Sequence, residues 1–194
     1  MAGRSRRNVD GVSDLPSVPD PAHYAKGGPV DRVQQFLAAV FEDGSHDECW
    51  SMMDDNLRLC LAQAWLWNNR EQPNIAGRLD ELAERFVRGP WPGDEMWEAF
   101  GRIDLNDMVR VWGDGYARDL GAASHPRPIG VDLEIVLLVP TDGEALVFHE
   151  ATLVADALQF VVRLVDGVWR LAGVAGVVPV PGWPPVIYGP GGGV

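Results

Sequence analysis

Lysine is almost missing from this 194-residue chain: Lys26 stands alone, and the other 15 basic residues are arginine. We read that as a compositional bias of the coding sequence. Basic charge as a whole is scarce, with 16 basic residues against 28 acidic ones and a net charge of −12. Phosphate backbones are held by a positive field, so nucleic acid is excluded as the main partner, and an anionic membrane surface is disfavoured on the same ground. Cysteine is limited to Cys49 and Cys60. Both fall in one predicted helical stretch, where their α-carbons would lie roughly 16 Å apart, too far for a bridge. Two small buried residues explain them, and nothing asks for an oxidising compartment.

Long apolar runs are absent too. No stretch reaches the 18 or so residues that a membrane span needs, and the basic start Met-Ala-Gly-Arg-Ser-Arg-Arg is not followed by an apolar segment. No membrane association and no secretory leader are therefore expected, which points to the cytoplasm. The four histidines stand singly at 23, 46, 125 and 149, without metal-ligand spacing. No glycine-rich loop sits between a strand and a helix, as a phosphate cradle requires. Neither a metal nor a cofactor is expected.

What is present is a globular composition, 46% hydrophobic and 23% charged, in a length that suits one core. Residues 1–29 form a polar arm rich in Ser, Asp, Pro and Gly, expected to be mobile in part. Residues 30–176 read as a single α+β domain with a helical, Trp-rich insertion at about 60–115. Residues 177–194 make a Pro- and Gly-rich tail that can be neither helix nor central strand. Its Val180, Trp183, Val186, Ile187 and Tyr188 need a surface to pack on, in this chain or a partner.

The domain changes period once. Val33, Phe36, Leu37, Val40 and Phe41 recur at helical spacing behind Asp31, a candidate N-cap, and Gly44 closes that helix. Ser45 caps the next, with Glu48 in the capping-box position. Trp50, Met53, Leu57, Leu61 and Ala64 trace one stripe, and Asp54-Asp55-Asn56 marks a possible break. A third helix is predicted over about 75–87, with Leu79, Leu82, Ala83 and Phe86 inward. Gly89-Pro90-Trp91-Pro92-Gly93 breaks the chain, and helix resumes from Asp94 with Met96, Trp97 and Phe100. Met108 to Trp112 alternates and predicts a short strand.

Beyond Pro128 the period is two. Val131, Leu133, Ile135 and Leu137 face one side, Asp132 and Glu134 the other. Thr141-Asp142-Gly143 predicts a turn into a strand at 145–150, and further strands are predicted at 157–165 and 168–174. Asp166-Gly167 between the last two predicts a type I′ hairpin. That register aligns Phe160, Val162 and Leu164 with Trp169 and Leu171. It places Arg163 and Arg170 on the opposite face, with Asp132 and Glu134, as solvated cross-strand pairs.

The opening helix Val33-Gln-Gln-Phe-Leu-Ala-Ala-Val-Phe, Gly44, the string Cys49-Trp50-Ser51-Met52-Met53-Asp54-Asp55-Asn56-Leu57-Arg58, and the closing Asp166-Gly167-Val168-Trp169-Arg170-Leu171-Ala172-Gly173-Val174 are the residues that resemble the nuclear-transport-factor-2-like superfamily. That group also contains ketosteroid isomerases and polyketide cyclases. The resemblance covers about residues 30–176. It implies N-terminal helices packed on a curved antiparallel β-sheet, a cystatin-like cone with an apolar pocket, and association as a homodimer. It assigns no activity, since the fold hosts many. The isomerase donors do not carry over: Phe36 and Phe41 stand where a donor tyrosine would be sought, and Tyr24, Tyr116 and Tyr188 fall in predicted loops or termini.

Candidate site residues follow from chemistry. His149 and Glu150 end a predicted strand beside Val147 and Phe148. As strand neighbours they face opposite sides, so one of them could enter a pocket as a general base; a rim position or a satisfied core histidine is the competing reading. His46, Asp47 and Glu48 read as the first turn of a helix, a capping arrangement. Among eight tryptophans, Trp65 and Trp67 project about 200° apart on a helix, so one is core and the other meets a pocket, a partner or the tail. Trp65, Trp67, Asn68, Trp97 and Trp112 are the candidate ligand-binding set, with Asn69 and Arg70 extending the polar rim. Three functions stay open: a module binding a small apolar ligand or a protein, an isomerase, dehydratase or cyclase acting on a hydrophobic molecule, and a dimeric scaffold without ligand.

Overall fold

A Gly-Pro pair starts the first helix of the computed structural model, which describes residues 21–116, 120–122, 127–140 and 158–187. Gly28 is the N-cap of α1 (Pro29–Phe41) and Pro29 holds its first position, where a missing N–H costs nothing. Asp31 was the expected cap. It lies instead in the first turn, accepting from Gly27 N at 2.7 Å and from Gln35 Nε2 at 2.7 Å. Val30, Val33, Phe36, Leu37 and Val40 are buried along one face of α1.

Helix α2 (His46–Met52) begins at Ser45, whose hydroxyl accepts from Glu48 N. The chain then breaks at Met53-Asp54, and α3 (Asp55–Asn68) starts afresh. The two cysteines therefore sit on two helices, both buried and free. Helix α4 (Leu79–Val87) starts four residues later than expected, because residues 72–78 form turns with Gly77 at φ +76. Ile75 is nonetheless fully buried. Helix α5 (Glu95–Tyr116) runs unbroken through the predicted strand at 108–112. Asp94 caps it by accepting from Trp97 N at 2.9 Å. Tyr116, expected in a loop, is the last residue of this helix.

The sheet is antiparallel and ordered β1-β3-β4-β5, with β2 also paired to β3. Its strands are β1 (Leu120–Ala122), β2 (Arg127–Pro128), β3 (Leu133–Pro140), β4 (Leu158–Val165) and β5 (Val168–Val174). Asp166 and Gly167 have φ +51 and +77, the pair of positive angles that a type I′ turn demands. A register shift between Val161 and Val162 curves the β4–β5 ribbon. Val136, Leu138, Phe160, Val162 and Leu171 meet the helices in one core with Phe36, Trp50, Leu57 and Phe100. The fold is thus α+β, with helices laid across one face of a curved antiparallel sheet.

Two expectations about charge change. Glu134 pairs in register with Val162, so it shares the helix-facing side with Val136, and His23 Nε2 lies 3.7 Å away. Arg163 does reach Asp132, at 3.8 Å. Its close contact, however, is the buried Asp54, at 2.6 Å, and Arg170 donates to the Ser51 carbonyl at 2.9 Å. The arginines clamp the α2–α3 junction to the sheet edge rather than decorating a solvated face. The predicted turn and strand at 141–150, and residues 1–20 of the arm, lie outside the described residues. The tail packs in cis as far as it is described. Val180 and Val186 exchange two backbone hydrogen bonds, Gln63 Oε1 accepts from Gly182 N, and Trp183 Nε1 donates to Asp80. Trp183 covers the buried Leu66, Ile75, Leu82 and Ala83.

Asp54 generates a stability prediction. Its carboxylate accepts from Leu57 N at 2.8 Å and from Arg163 Nη1 at 2.6 Å. Losing a cap and half of a buried ion pair together, Asp54→Ala should lower unfolding free energy by about 2–4 kcal/mol in urea titration; a loss within experimental error would remove the junction from this role. Desolvation by burial holds the Asp54 carboxyl above its ordinary value, against the opposing pull of the Leu57 amide and Arg163. The unfolded chain then gives up this proton first, at about pH 4. The stability of the wild type relative to Asp54→Asn should accordingly decline as pH rises from about 4 through the raised folded value.

Candidate functional site

Two aromatic clusters grow from the helical half and stop short of each other. In one, Phe36, Trp112 and Phe160 pack with ring centroids 5.4–6.3 Å apart. In the other, Trp50, Trp65, Phe86, Trp97 and Phe100 surround one another edge-on, tilted or stacked at 5.1–5.9 Å. Such contacts fix rings in place beyond what area burial alone would do. Between the clusters lies a pocket of about 300 Å³. One wall is the predicted stripe on and before α3, Met53, Leu57, Leu61 and Ala64, with Trp65 beside it. The opposite wall is α5, where Phe100, Ile103, Asp104, Asp107, Met108, Val111 and Trp112 recur at helical spacing. Leu171, Val174 and Ala175 close one end, and Ile187 from the tail borders it.

Polar groups are few: Asn68 on the α3 wall, and Asp104, Asp107 and Arg110 on the α5 wall. Asn68 lies at the end of α3, and Asp107 pairs with Arg110 at 3.1 Å on the exposed rim. Asp104 is more enclosed. Its Oδ2 is 3.1 Å from His46 Nε2, with 11% and 8% of the two side chains exposed. The His46 ring sits among Trp50, Trp97 and Phe100, with centroids 5.1–5.5 Å away. Its Nδ1 is buried without a partner, so the tautomer that the surroundings satisfy carries its proton on Nε2 and donates to Asp104. Trp65 Nε1–H is also buried without an acceptor.

Of the five expected ligand-binding residues, Trp65, Asn68 and Trp112 line the pocket together. Trp97 does not: it is fully buried, its Nε1 donating to Asp47 at 2.8 Å. Trp67 points the other way, as the helical angle required, and stacks under the Arg70 guanidinium at 4.5 Å. Asn69 and Arg70 serve the end of α3, donating to the Trp65 and Trp67 carbonyls, and so belong to a cap rather than to a rim. His149 and Glu150 lie outside the described residues. The thiols are not poised nucleophiles: burial pushes Cys49 up to about 12 and Cys60 to about 11, with the Asp104 charge adding to the first.

The His46–Asp104 pair escaped sequence reasoning because His46 was assigned to a helix start. A signal existed in Gly101, a helix-interior glycine that costs about 1 kcal/mol relative to alanine unless something packs against it. A Cβ there would lie 2.6 Å from His46 Nδ1. Among the described residues no group of three or more His, Cys, Asp or Glu is placed to hold a metal ion, and no helix is long and apolar enough to cross a membrane.

Comparison with known proteins finds no matching family model, no matching curated protein and no matching solved structure.

Gly101→Ala should destabilise the chain by about 1–3 kcal/mol in urea titration, because the added methyl displaces the His46 ring. Gly113→Ala is the control on the same helix. Its Cβ would meet only Phe41, at 4.0 Å, so it should be neutral or stabilising. Equal behaviour of the two variants would mean that Gly101 is not there to admit His46.

Proposed function

We propose that this chain is a binding module for a small, mainly apolar molecule, held between α3 and α5. The observation that carries the reading is an unfilled space between two interlocked ring clusters that cannot collapse into it without breaking their own contacts. Pockets of this size and lining are the usual shape of a small-molecule site. The unpartnered Trp65 N–H on the same wall supports it, since buried donors ordinarily have an acceptor. Burying about 200 Å² of apolar ligand surface contributes about 5 kcal/mol before association costs, so apolar burial alone gives affinities of about millimolar or weaker. The arrangement of helices over a curved sheet around a pocket also supports the resemblance to the nuclear-transport-factor-2-like superfamily.

Asp104 supports a second reading, an isomerase-, dehydratase- or cyclase-type enzyme, because a carboxylate oriented by a histidine in an apolar wall is a possible proton acceptor. Asp104 would be the base, and His46 would position it without touching the substrate.

Ala64 faces the pocket from α3. Ala64→Trp should fill the space and weaken binding of the neutral fluorescent probe N-phenyl-1-naphthylamine at least about tenfold, while the urea midpoint stays close to that of the wild type. Undiminished probe binding by a folded Ala64→Trp would place the probe elsewhere and remove the support for this pocket. Native mass spectrometry of protein purified from its own host reads retained ligand and subunit number together; the expected result is a dimer with a small molecule bound.

A further inference from the structure

We infer that the molecule taken by this pocket is an amphiphilic cation, an amine with an apolar body, whose charged head is recognised by Asp104. The inference rests on the pocket reading above and adds the chemistry of the head group.

Three observations converge on it. First, the charges around the pocket do not cancel. Asp107 and Arg110 neutralise one another at the rim, with 58% and 75% of their side chains exposed, whereas among the described residues no Arg or Lys reaches Asp104. Its partner is His46 Nε2, 3.1 Å away, and the arrangement that leaves no buried N–H unsatisfied donates from that nitrogen. A carboxylate in a mostly apolar wall, with one hydrogen bond satisfied and no arginine or lysine beside it, is a strong attractor for an ammonium. Secondly, the wall around it is aromatic: Phe36, Trp65, Phe100 and Trp112 all line the space. Ring faces favour an organic cation over water, each by about 0.5–2 kcal/mol. Thirdly, the field of the whole chain is negative, at −12, so cations are drawn toward it and anions are turned away. A fatty acid or another anionic amphiphile would place a second negative charge beside Asp104.

His46 is a positioning residue in this scheme. The ring is wedged by Gly101 on one side and by Trp50, Trp97 and Phe100 on the others. Its Nε2–H therefore fixes one carboxylate oxygen of Asp104 and leaves the other for the ligand.

Octylamine, 1-octanol and octanoate share one apolar chain and differ in the head, and their binding to the full chain can be measured by calorimetry at neutral pH and moderate salt. The expected result is one octylamine per chain, bound at least about tenfold more tightly than octanol, with octanoate weakest. Asp104→Asn keeps an acceptor for His46 but removes the charge, and it should reduce octylamine to the level of octanol while octanol binding is unchanged. Retained octanol binding also shows that the variant is folded and its pocket intact. Equal binding of octylamine and octanol by the wild type overturns the cation assignment and leaves the pocket reading standing. Octylamine preference that survives Asp104→Asn, or binding at several sites per chain, overturns it as general attraction to an acidic surface. Failure of all three compounds to bind, with N-phenyl-1-naphthylamine also unaffected by Ala64→Trp, overturns both readings.

Discussion

The two-residue break at Met53 and Asp54 is the constraint on which the rest of this architecture depends. Met53 bridges Leu171 in parallel, and Asp54 N donates to the Leu171 carbonyl at 2.7 Å, so the break behaves as a fragment of strand on the edge of β5. From the same residue the carboxylate caps α3 and binds Arg163 on β4. One side chain, just after the Met53 cap of α2, thus starts α3 and ties it to the second strand in from the edge. A carboxylate removed from water is costly unless its partners are held in place. Here a helix N-terminus and a guanidinium do so, and burial still keeps its proton affinity above the ordinary value. The geometry of α3 relative to the sheet, and with it one wall of the pocket, follows from this junction.

The other wall is set by α5, a helix that must satisfy two neighbours. Trp97 and Phe100 join the aromatic cluster around His46, while Trp112 joins the separate group with Phe36 and Phe160. Between these anchors the same face carries Ile103, Asp104, Asp107, Met108 and Val111. Rings locked at both ends hold the middle of the helix at a fixed distance from α3. The pocket is therefore a consequence of packing elsewhere, and its most enclosed polar group is the carboxylate paired with His46. The described tail reinforces the arrangement through Gln63, Asp80 and Asn56, with Pro179 buried and Trp183 packed on the smaller core cluster.

Much of this was legible in local chemistry. The Asp166-Gly167 turn, the strand period in β3 to β5, the Ser45 cap and the α3 stripe each depend on neighbours within a few residues, where sterics and backbone hydrogen bonding act alone; the facing of β3 did not follow, for Leu133, Ile135 and Leu137 share the Arg163 side while Val136 and Leu138 are buried against the helices. The stripe Met53, Leu57, Leu61 and Ala64 serves both core and pocket wall, with Met53 and Leu57 fully buried, because periodicity reports which residues leave water and not what they meet. The segment at 108–112 misled for a related reason. Met-Val-Arg-Val-Trp alternates over five residues, but within the longer run from Phe100 the same apolar residues keep the helical period, and the capped helix carries through.

What the sequence by itself determined is the order of elements, helices first and an antiparallel sheet last, since period and turn chemistry are properties of short segments. Only the tertiary structure decided which charges meet. Asp54 finds Arg163 across 109 positions and His46 finds Asp104 across 58, and neither pairing has a local signature. Burial creates both: an acid or an imidazole taken out of water must be matched by whatever the fold brings within reach, and the chain's order does not specify that partner.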